Sequence, residues 1–474
     1  MHPSSSLATQ LQSALASRDE RWIRRRLPDP HTSSPSSPLI DFNSNDYLSL
    51  ARSPHLRSRF LHKLAHAPQV LGSGGSRLLV NGHAHSNLES RLAGFFRAGA
   101  ALLFNSGFDA NAGLFACVPQ PRDVLVLDEH VHASVHDGVR ASRVPRAARR
   151  VFAHNEVADL RRVLAELVAE DGGRDGGLRS GERSVFVAVE SLYSMDGTFA
   201  PLVEIVEVLE EVFPARNGYL IVDEAHATGL YGPQGRGRVA ELGLEDRVLA
   251  RLHTFGKALA ATGAVILTNT LIRDYLLNYA RPLIYTTSLS YANIIAADCS
   301  FDMLCDGTAE EVCKPRLLPI SHLYLLTQIT STQQLSRALL DLSTHFTTYL
   351  HPRLALAHIP KRLLSLPEHL TPPSHSHTRA PAPSPIIPLM TAHPRPLSAY
   401  LLALGMNARP ITWPTVPKGR DRVRVCLHAA NTREEVERLA EGAVRWAEEV
   451  LRAERRGAGG AGEGVWERER ESKL

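Results

Sequence analysis

The sequence predicts an α/β protein with a large, mostly parallel sheet and a smaller C-terminal α+β domain. The first observation is alternation. Between residues 51 and 290, apolar strand-like runs recur at Ala101–Phe104, Val124–Leu127, Val185–Val189, Tyr219–Val222 and Ala264–Leu267. Helical stretches such as Ala158–Ala169 and Leu202–Val212 lie between some of them. This pattern builds a parallel sheet with helices on both faces. The second observation is a change of order after residue 290. Helices at Ile294–Met303 and His322–Leu340 lead into a Pro/Ser/His-rich segment, Pro367–Pro388, then a strand, Val423–Leu427, and a closing helix, Thr432–Arg452.

Four regions follow: an N-terminal arm (1–50), a large α/β domain (51–290), a smaller α+β domain (291–455) and a charged tail (456–474). In the arm, an amphipathic helix within Leu7–Leu27 is expected to end near Pro28. A Ser/Pro linker, His31–Pro38, and a short strand, Leu39–Phe42, follow. Asp171–Ser184 is rich in Gly and Arg and reads as an exposed loop. Pro367–Pro388 reads as either a long surface loop or a poorly ordered insertion.

Composition narrows the function classes. The 474 residues are 44% hydrophobic and 22% charged, which excludes global disorder and a disulfide-stapled mini-fold. A net charge of +4 is too small to point to nucleic acid. The five cysteines show no C-x-x-C spacing and read as reduced thiols. No apolar run is long enough for a membrane span. The His375-Ser376-His377 pair stands in a Pro/Ser loop without cysteines or clustered acids, so no metal site is expected. The chain ends in Ser472-Lys473-Leu474. A C-terminal S-K-L is read by the peroxisomal import receptor, so the peroxisome is the expected location and the cytoplasm the alternative.

Four local signals carry chemistry. Gly72-Ser73-Gly74-Gly75-Ser76-Arg77 allows close backbone approach to a ligand, yet it is no Walker loop and no clear strand precedes it. Asn105-Ser106-Gly107-Phe108 follows an apolar run, and a strand entering a Ser-Gly turn before a helix offers N–H groups to a phosphate. Asp223-Glu224-Ala225-His226 closes the run Tyr219–Val222, where an abrupt set of ionisable groups resists a packing explanation. Thr254-Phe255-Gly256-Lys257-Ala258 places a lysine in a small, apolar stretch suited to a Schiff-base amine. Each signal alone has an ordinary reading. Together they match what pyridoxal phosphate requires: an amine for the aldehyde, a carboxylate for the pyridine nitrogen and donors for the phosphate. His132 is a candidate flat partner for the ring.

With these motifs in view, the sequence resembles the α-oxoamine synthases, fold-type-I pyridoxal-phosphate transferases. The likeness runs from about residue 10 to 450 and is weakest at 170–184 and 305–385. It includes Arg24-Arg25-Arg26-Leu27-Pro28, Asn43-Ser44-Asn45-Asp46-Tyr47-Leu48, Ser194-Met195-Asp196-Gly197, Gly235-Arg236-Gly237, Pro414-Thr415-Val416-Pro417 and Arg422-Val423-Arg424-Val425. The resemblance implies roles. Lys257 carries the cofactor and moves the Cα proton, Asp223 pairs with the pyridinium, and His226 and Ser194 lie by the ring oxygen. His132 stacks on the ring, while Gly107, Phe108 and Thr254 hold the cofactor. Thr287 reaches the neighbouring subunit's phosphate, which implies a homodimer with shared active sites. Arg424 and Asn45 hold the amino acid's carboxylate, and Arg24 and Thr415 match acyl-substrate positions.

The implied reaction joins alanine to pimeloyl-CoA and releases CoA and CO2, giving 8-amino-7-oxononanoate for biotin synthesis. Other acyl-CoA condensations, with glycine and acetyl-CoA or with a longer acyl chain, remain open. So do an aminotransferase and a non-catalytic partner subunit. Where relatives carry Arg before the Pro-Thr-Val-Pro motif this chain has Thr412, and where they usually carry His it has Asn431.

Overall fold

The computed structural model describes residues 5–21, 23–27, 39–171, 177–305, 332–371 and 382–457. The Ser472–Leu474 tripeptide, the His375 and His377 pair and Cys313 lie outside the described residues. The chain divides into two units, Asn45–Leu339, and Met1–Ser44 with Leu340–Leu474. Its strands are β1 (Ile40–Asp41), β2 (Ala100–Phe104), β3 (Val124–Asp128), β4 (Arg149–Phe152), β5 (Val185–Glu190), β6 (Gly218–Asp223), β7 (Ala250–Thr254), β8 (Ala264–Thr268), β9 (Ile386–Met390), β10 (Met406–Asn407), β11 (Arg409–Ile411) and β12 (Arg422–Cys426).

In the larger unit, seven strands form one sheet in the order β2-β8-β7-β6-β5-β3-β4. β8 runs antiparallel to both neighbours, and the other pairings are parallel. Side-chain alternation splits the core in two. Val124, Val126, Val185 and Val187 pack with the helices Val157–Glu170 and Leu202–Val212. Leu125, Leu127, Phe186 and Ala188 pack on the opposite face with the helices Gly107–Cys117 and Ala133–Ala141. A third cluster joins Ala101, Leu103, Val265 and Leu267 to the helices His83–Phe95 and Tyr291–Cys305. Strands covered on both faces read as unbroken apolar runs, which is why five of them are visible in the sequence.

β4 and β7 are additions to that reading. β4 begins with two arginines and lies at the sheet edge. β7, Ala-Arg-Leu-His-Thr, has ionisable residues at alternate positions although it is central. Each polar side chain finds a partner inside the fold: Arg251 Nη2 donates to Phe96 O at 2.9 Å, and His253 Nδ1 lies 2.9 Å from Thr228 Oγ1. A strand of this kind gives no hydropathy signal.

In the smaller unit, β11, β12 and β9 form an antiparallel sheet, and β1 pairs in parallel with β10. The arm strand is tied further by Cys426 N, which donates to Phe42 O at 2.8 Å. The helix Arg433–Gly457 buries Val436, Leu439, Ala440, Ala443, Ala447 and Val450, the stripe expected of a surface helix.

Three expectations are corrected. The N-terminal helix spans Ser6–Glu20 and stops well before Pro28; its C-cap N–H is already satisfied by Ser17 and Asp19 carbonyls. Residues 322–331 of the helix expected at His322–Leu340 lie outside the described residues, and the described part, Thr332–Leu356, continues through Pro352 beyond the expected end. The end of the segment Pro367–Pro388 is strand, since Ile386 and Ile387 are fully buried in β9. Pro388 is tolerated there because β9 is an edge strand.

One glycine governs how the two helices beside the sheet meet. A Cβ on Gly138 would lie 2.8 Å from Phe115 Cβ and 2.9 Å from Ala112 O. Neither is the end of a flexible side chain. Gly138→Ala is therefore expected to lower unfolding free energy by about 1–3 kcal/mol. Gly94→Ala, where nothing lies within 4 Å, should raise it by about 0.5–1 kcal/mol. Urea denaturation of the two variants checks both signs.

Candidate active site

The carboxyl ends of β3, β5, β6 and β7 carry Asp128, Glu190, Asp223 and Thr254. Such an edge is where α/β sheets bind ligands. Asp223 is nearly buried and its carboxylate is held from both sides. Ala225 N donates to Oδ1 at 2.9 Å, and Asn111 Nδ2 donates to Oδ2 at 2.7 Å. Asn111 also donates to Ser134 Oγ at 3.0 Å, and Ser134 Oγ lies 2.7 Å from His132 Nδ1. Ser134 N donates to the same Nδ1 at 3.2 Å. Nδ1 thus acts as acceptor, which puts the imidazole proton on Nε2. Burial lowers the basicity of His132; Asp223 opposes this and the Lys257 ammonium reinforces it.

Lys257 follows β7 in a turn closed by Ala260 N donating to Lys257 O at 3.0 Å. Its charge acts on both His132 and Glu190, and both also feel Asp223. These four groups therefore share one electrostatic neighbourhood. Thr254 adjoins the start of the helix Gly107–Cys117, where a Cβ on Gly107 would meet Thr254 Oγ1 at 3.6 Å. Ser106 caps that helix through Asp109 N at 3.0 Å. A hydroxyl beside a capped helix N-terminus is a phosphate cradle. Phe108 is 44% exposed, and its ring stands edge-on to His132 at 6.4 Å.

His226 Nδ1 lies 2.7 Å from Tyr47 Oη, which is also 3.3 Å from Asn45 Oδ1. Tyr47 is fully buried. Ser194 sits in a tight turn in which Gly197 has φ 68°, a conformation that favours glycine. The turn is anchored from β3. His154 Nε2 is 2.8 Å from Thr198 Oγ1, and its Nδ1 is 3.0 Å from Asp128 Oδ1. His130 stacks on His154 at 4.1 Å and approaches Asp196 at 3.4 Å.

The Gly72–Arg77 loop buttresses its neighbours. Arg77 is buried against Glu89 at 2.6 and 3.1 Å, and Ser73 Oγ lies 2.7 Å from Ser288 Oγ. Thr287 is exposed, and Asn105 Nδ2 donates to its carbonyl at 2.7 Å. Arg424, Thr415 and Arg24 belong to the smaller unit. Arg424 is buried on β12, Thr415 is exposed, and Arg24 is ion-paired with Asp19. Among the described residues, no group of three or more His, Cys, Asp and Glu could hold a metal, and no helix is long and apolar enough to cross a membrane.

Four site residues were missed in the sequence reading. Asn111 and Ser134 are polar residues one turn or less inside helices that start at the site. Tyr47 lies in a motif that was noted without a role. Glu190 ends an apolar strand just as Asp223 does, and that parallel was the available signal.

The model of the family described as aminotransferase class I and II matches residues 37–304. The chain is 44% identical to the 8-amino-7-oxononanoate synthase of Emericella nidulans, with 93% of this chain and 96% of that one covered. It belongs to the class I and II aminotransferase family, in its α-oxoamine synthase branch. The aminoacyl transferase sphA of Aspergillus fumigatus is 36% identical, over 89% of this chain and 83% of its own length. Among solved structures, Sphingomonas wittichii serine palmitoyltransferase matches with a TM-score of 0.69 and 23% identity, covering 95% of this chain and 99% of that one. 8-Amino-7-oxononanoate synthase from Francisella tularensis matches at 0.61 and 22%, covering 87% and 99%.

This α-oxoamine synthase is a fold-type-I, pyridoxal-phosphate-dependent acyltransferase. The residues present fit the cofactor. A carboxylate held by two N–H donors, an amine in its field, a hydroxyl at a helix N-terminus and the His132 imidazole supply the complementary chemistry.

Asn111→Leu removes the donor to Asp223 at nearly constant volume. It is expected to cost about 1.5–3 kcal/mol, as loss of a hydrogen bond to a charged group does. Urea denaturation of the cofactor-free protein measures it. The Asp128 anchor is pH-sensitive. Burial alone would raise its carboxyl, but His154 and the N–H groups of Asn155 and His130 outweigh burial and hold it below the ordinary 3.8. Its stabilisation is present above that value and fades as pH falls through the lower folded value. His154→Ala should therefore move the acid-unfolding midpoint upward, read by circular dichroism.

Proposed function

We propose that this enzyme condenses alanine with pimeloyl-CoA, releasing CoA and CO2 and giving 8-amino-7-oxononanoate. The observation that carries this reading is the 44% identity to the Emericella nidulans synthase across nearly the whole of both chains. When bound, pyridoxal phosphate supplies an electron sink for charge developing at the amino acid's Cα.

The chain's own residues do the rest. Lys257 Nζ would hold the cofactor and would serve as the base that takes the Cα proton. Asp223, its carboxylate fixed by Asn111 and Ala225, would hold a proton on the pyridine nitrogen. His132, its Nδ1 engaged by Ser134, would offer its imidazole face to the ring. His226, positioned by Tyr47, and Ser194 address the ring oxygen. Gly107 and Phe108 N–H groups and the Thr254 hydroxyl hold the phosphate. The family resemblance assigns Arg424 and Asn45 to the substrate carboxylate and Arg24 and Thr415 to the acyl chain. Thr287 serves the partner's site in a homodimer. The exposed Leu71, Leu78, Leu79 and Tyr285 around the Gly-rich and Thr287 loops suit that assembly.

A second reading is condensation with a longer acyl-CoA, and the fold's likeness to serine palmitoyltransferase is what raises it. The test is CoA release by purified enzyme with alanine, glycine or serine against acetyl-, pimeloyl- and palmitoyl-CoA. The expected result is a preference for alanine with pimeloyl-CoA by about 10-fold or more. Preference for palmitoyl-CoA would replace it with the second reading. Lys257→Ala should abolish turnover, and borohydride should fix the cofactor to the wild type alone.

A further inference from the structure

The site holds a second carboxyl to which the reaction assigns no role. Glu190 ends β5 and is paired in register with Asp223 on β6. In-register residues of adjacent strands point to one face, so the two carboxyls stand side by side. Their surroundings differ. Asp223 receives two N–H donors. Glu190 is 3% exposed and has the His132 backbone N–H within reach, but among the described residues its Oε1 has no hydrogen-bond partner. A buried carboxylate oxygen without a donor is costly, and two adjacent anions compound the cost. The Lys257 ammonium is shared between them.

We propose that Glu190 is a positioning residue of this site: an uncharged carboxylic acid that braces the His132 backbone and leaves Asp223 as the single anion opposite Lys257. Burial first, then the charges of Asp223 and Asp128, push its carboxyl well above the ordinary carboxylate range against the opposing pull of Lys257. Nearby Tyr193 is raised in turn, by burial and by the charges of Asp128 and Glu190. The functional consequence is direct. A second anion here would favour the ammonium form of Lys257 and oppose its service as a base. An uncharged neighbour with the same shape does neither.

The proposal rests on cofactor binding at Lys257 and Asp223, and its test needs no acyl-CoA. Full-length wild type, Glu190→Gln and Glu190→Leu are loaded with pyridoxal phosphate. Cofactor affinity and the pH titration of its bound absorbance are measured. Glu190→Gln keeps the shape, the acceptor and the lack of charge, so its titration should stay within about half a pH unit of wild type. Glu190→Leu loses the acceptor for His132 N–H and should bind cofactor about 10-fold more weakly, with Gln restoring the affinity.

A downward shift of about one unit or more in Glu190→Gln would show that an anion had been removed and overturn the proposal. Wild-type affinity in Glu190→Leu would overturn the bracing role. Infrared difference spectra of wild type against Glu190→Gln decide the charge independently. The carbonyl stretch of a protonated carboxyl should be present in wild type and missing in the variant, and its absence from wild type would overturn the proposal even if Glu190→Leu fails to fold. Failure of the cofactor reading looks different, as no cofactor absorbance in wild type at all.

Discussion

The structure turns on one buried carboxylate. Asp223 stands at the end of a strand covered on both faces, where an unpaired charge costs several kcal/mol. Asn111 and Ala225 donate to it at 2.7 and 2.9 Å, which offsets that cost. Neither donor neutralises it. That leaves a fixed negative potential aimed at whatever lies opposite, in the field of the Lys257 ammonium. Asn111 then passes the constraint through Ser134 to His132. The Asp223 side chain thus sets the place of the amide, and the amide sets the orientation of the imidazole.

The fold makes that arrangement possible by bringing strand ends together. Parallel strands put their carboxyl ends on one edge, so residues as distant in sequence as Asp128, Glu190, Asp223 and Thr254 become neighbours. Helices that start at this edge deliver their N-termini to it. The helix Gly107–Cys117 offers its first turn beside Thr254, and the helix after His132 begins at its own cap. Gly138 lets these two helices approach closely enough that Asn111 and Ser134 meet. Packing and chemistry therefore depend on the same glycine.

What the sequence disclosed follows from the same physics. Strands buried on both faces must be apolar throughout, so β2, β3, β5, β6 and β8 stood out, and the Asp223 and Lys257 motifs were visible as ionisable groups that broke apolar stretches. β7 did not stand out, because Arg251 and His253 find partners inside the fold that hydropathy cannot report. Glu190 was overlooked for a related reason. It reads as the polar end of a strand, and its importance arises from the register that places it against Asp223. Asn111 and Tyr47 act through other side chains, and pairing across the fold leaves little trace in local pattern.

The departures from the family pattern lie in the smaller unit, and two of them have local explanations. Asn431 Oδ1 accepts from His428 N at 2.8 Å, and its amide reaches Glu435 at 3.3 Å, so it organises the start of the C-terminal helix. His428 itself binds the arm through Asp41 O at 2.9 Å and Ser44 O at 3.0 Å. The exchange of His for Asn at residue 431 therefore leaves that corner tied together. At Thr412, where relatives carry arginine, Arg395 Nη2 lies 3.4 Å from the hydroxyl, and the Lys418 ammonium lies 5.3 Å above the adjacent Trp413 ring. Two cationic side chains thus stand beside Thr412 and Trp413.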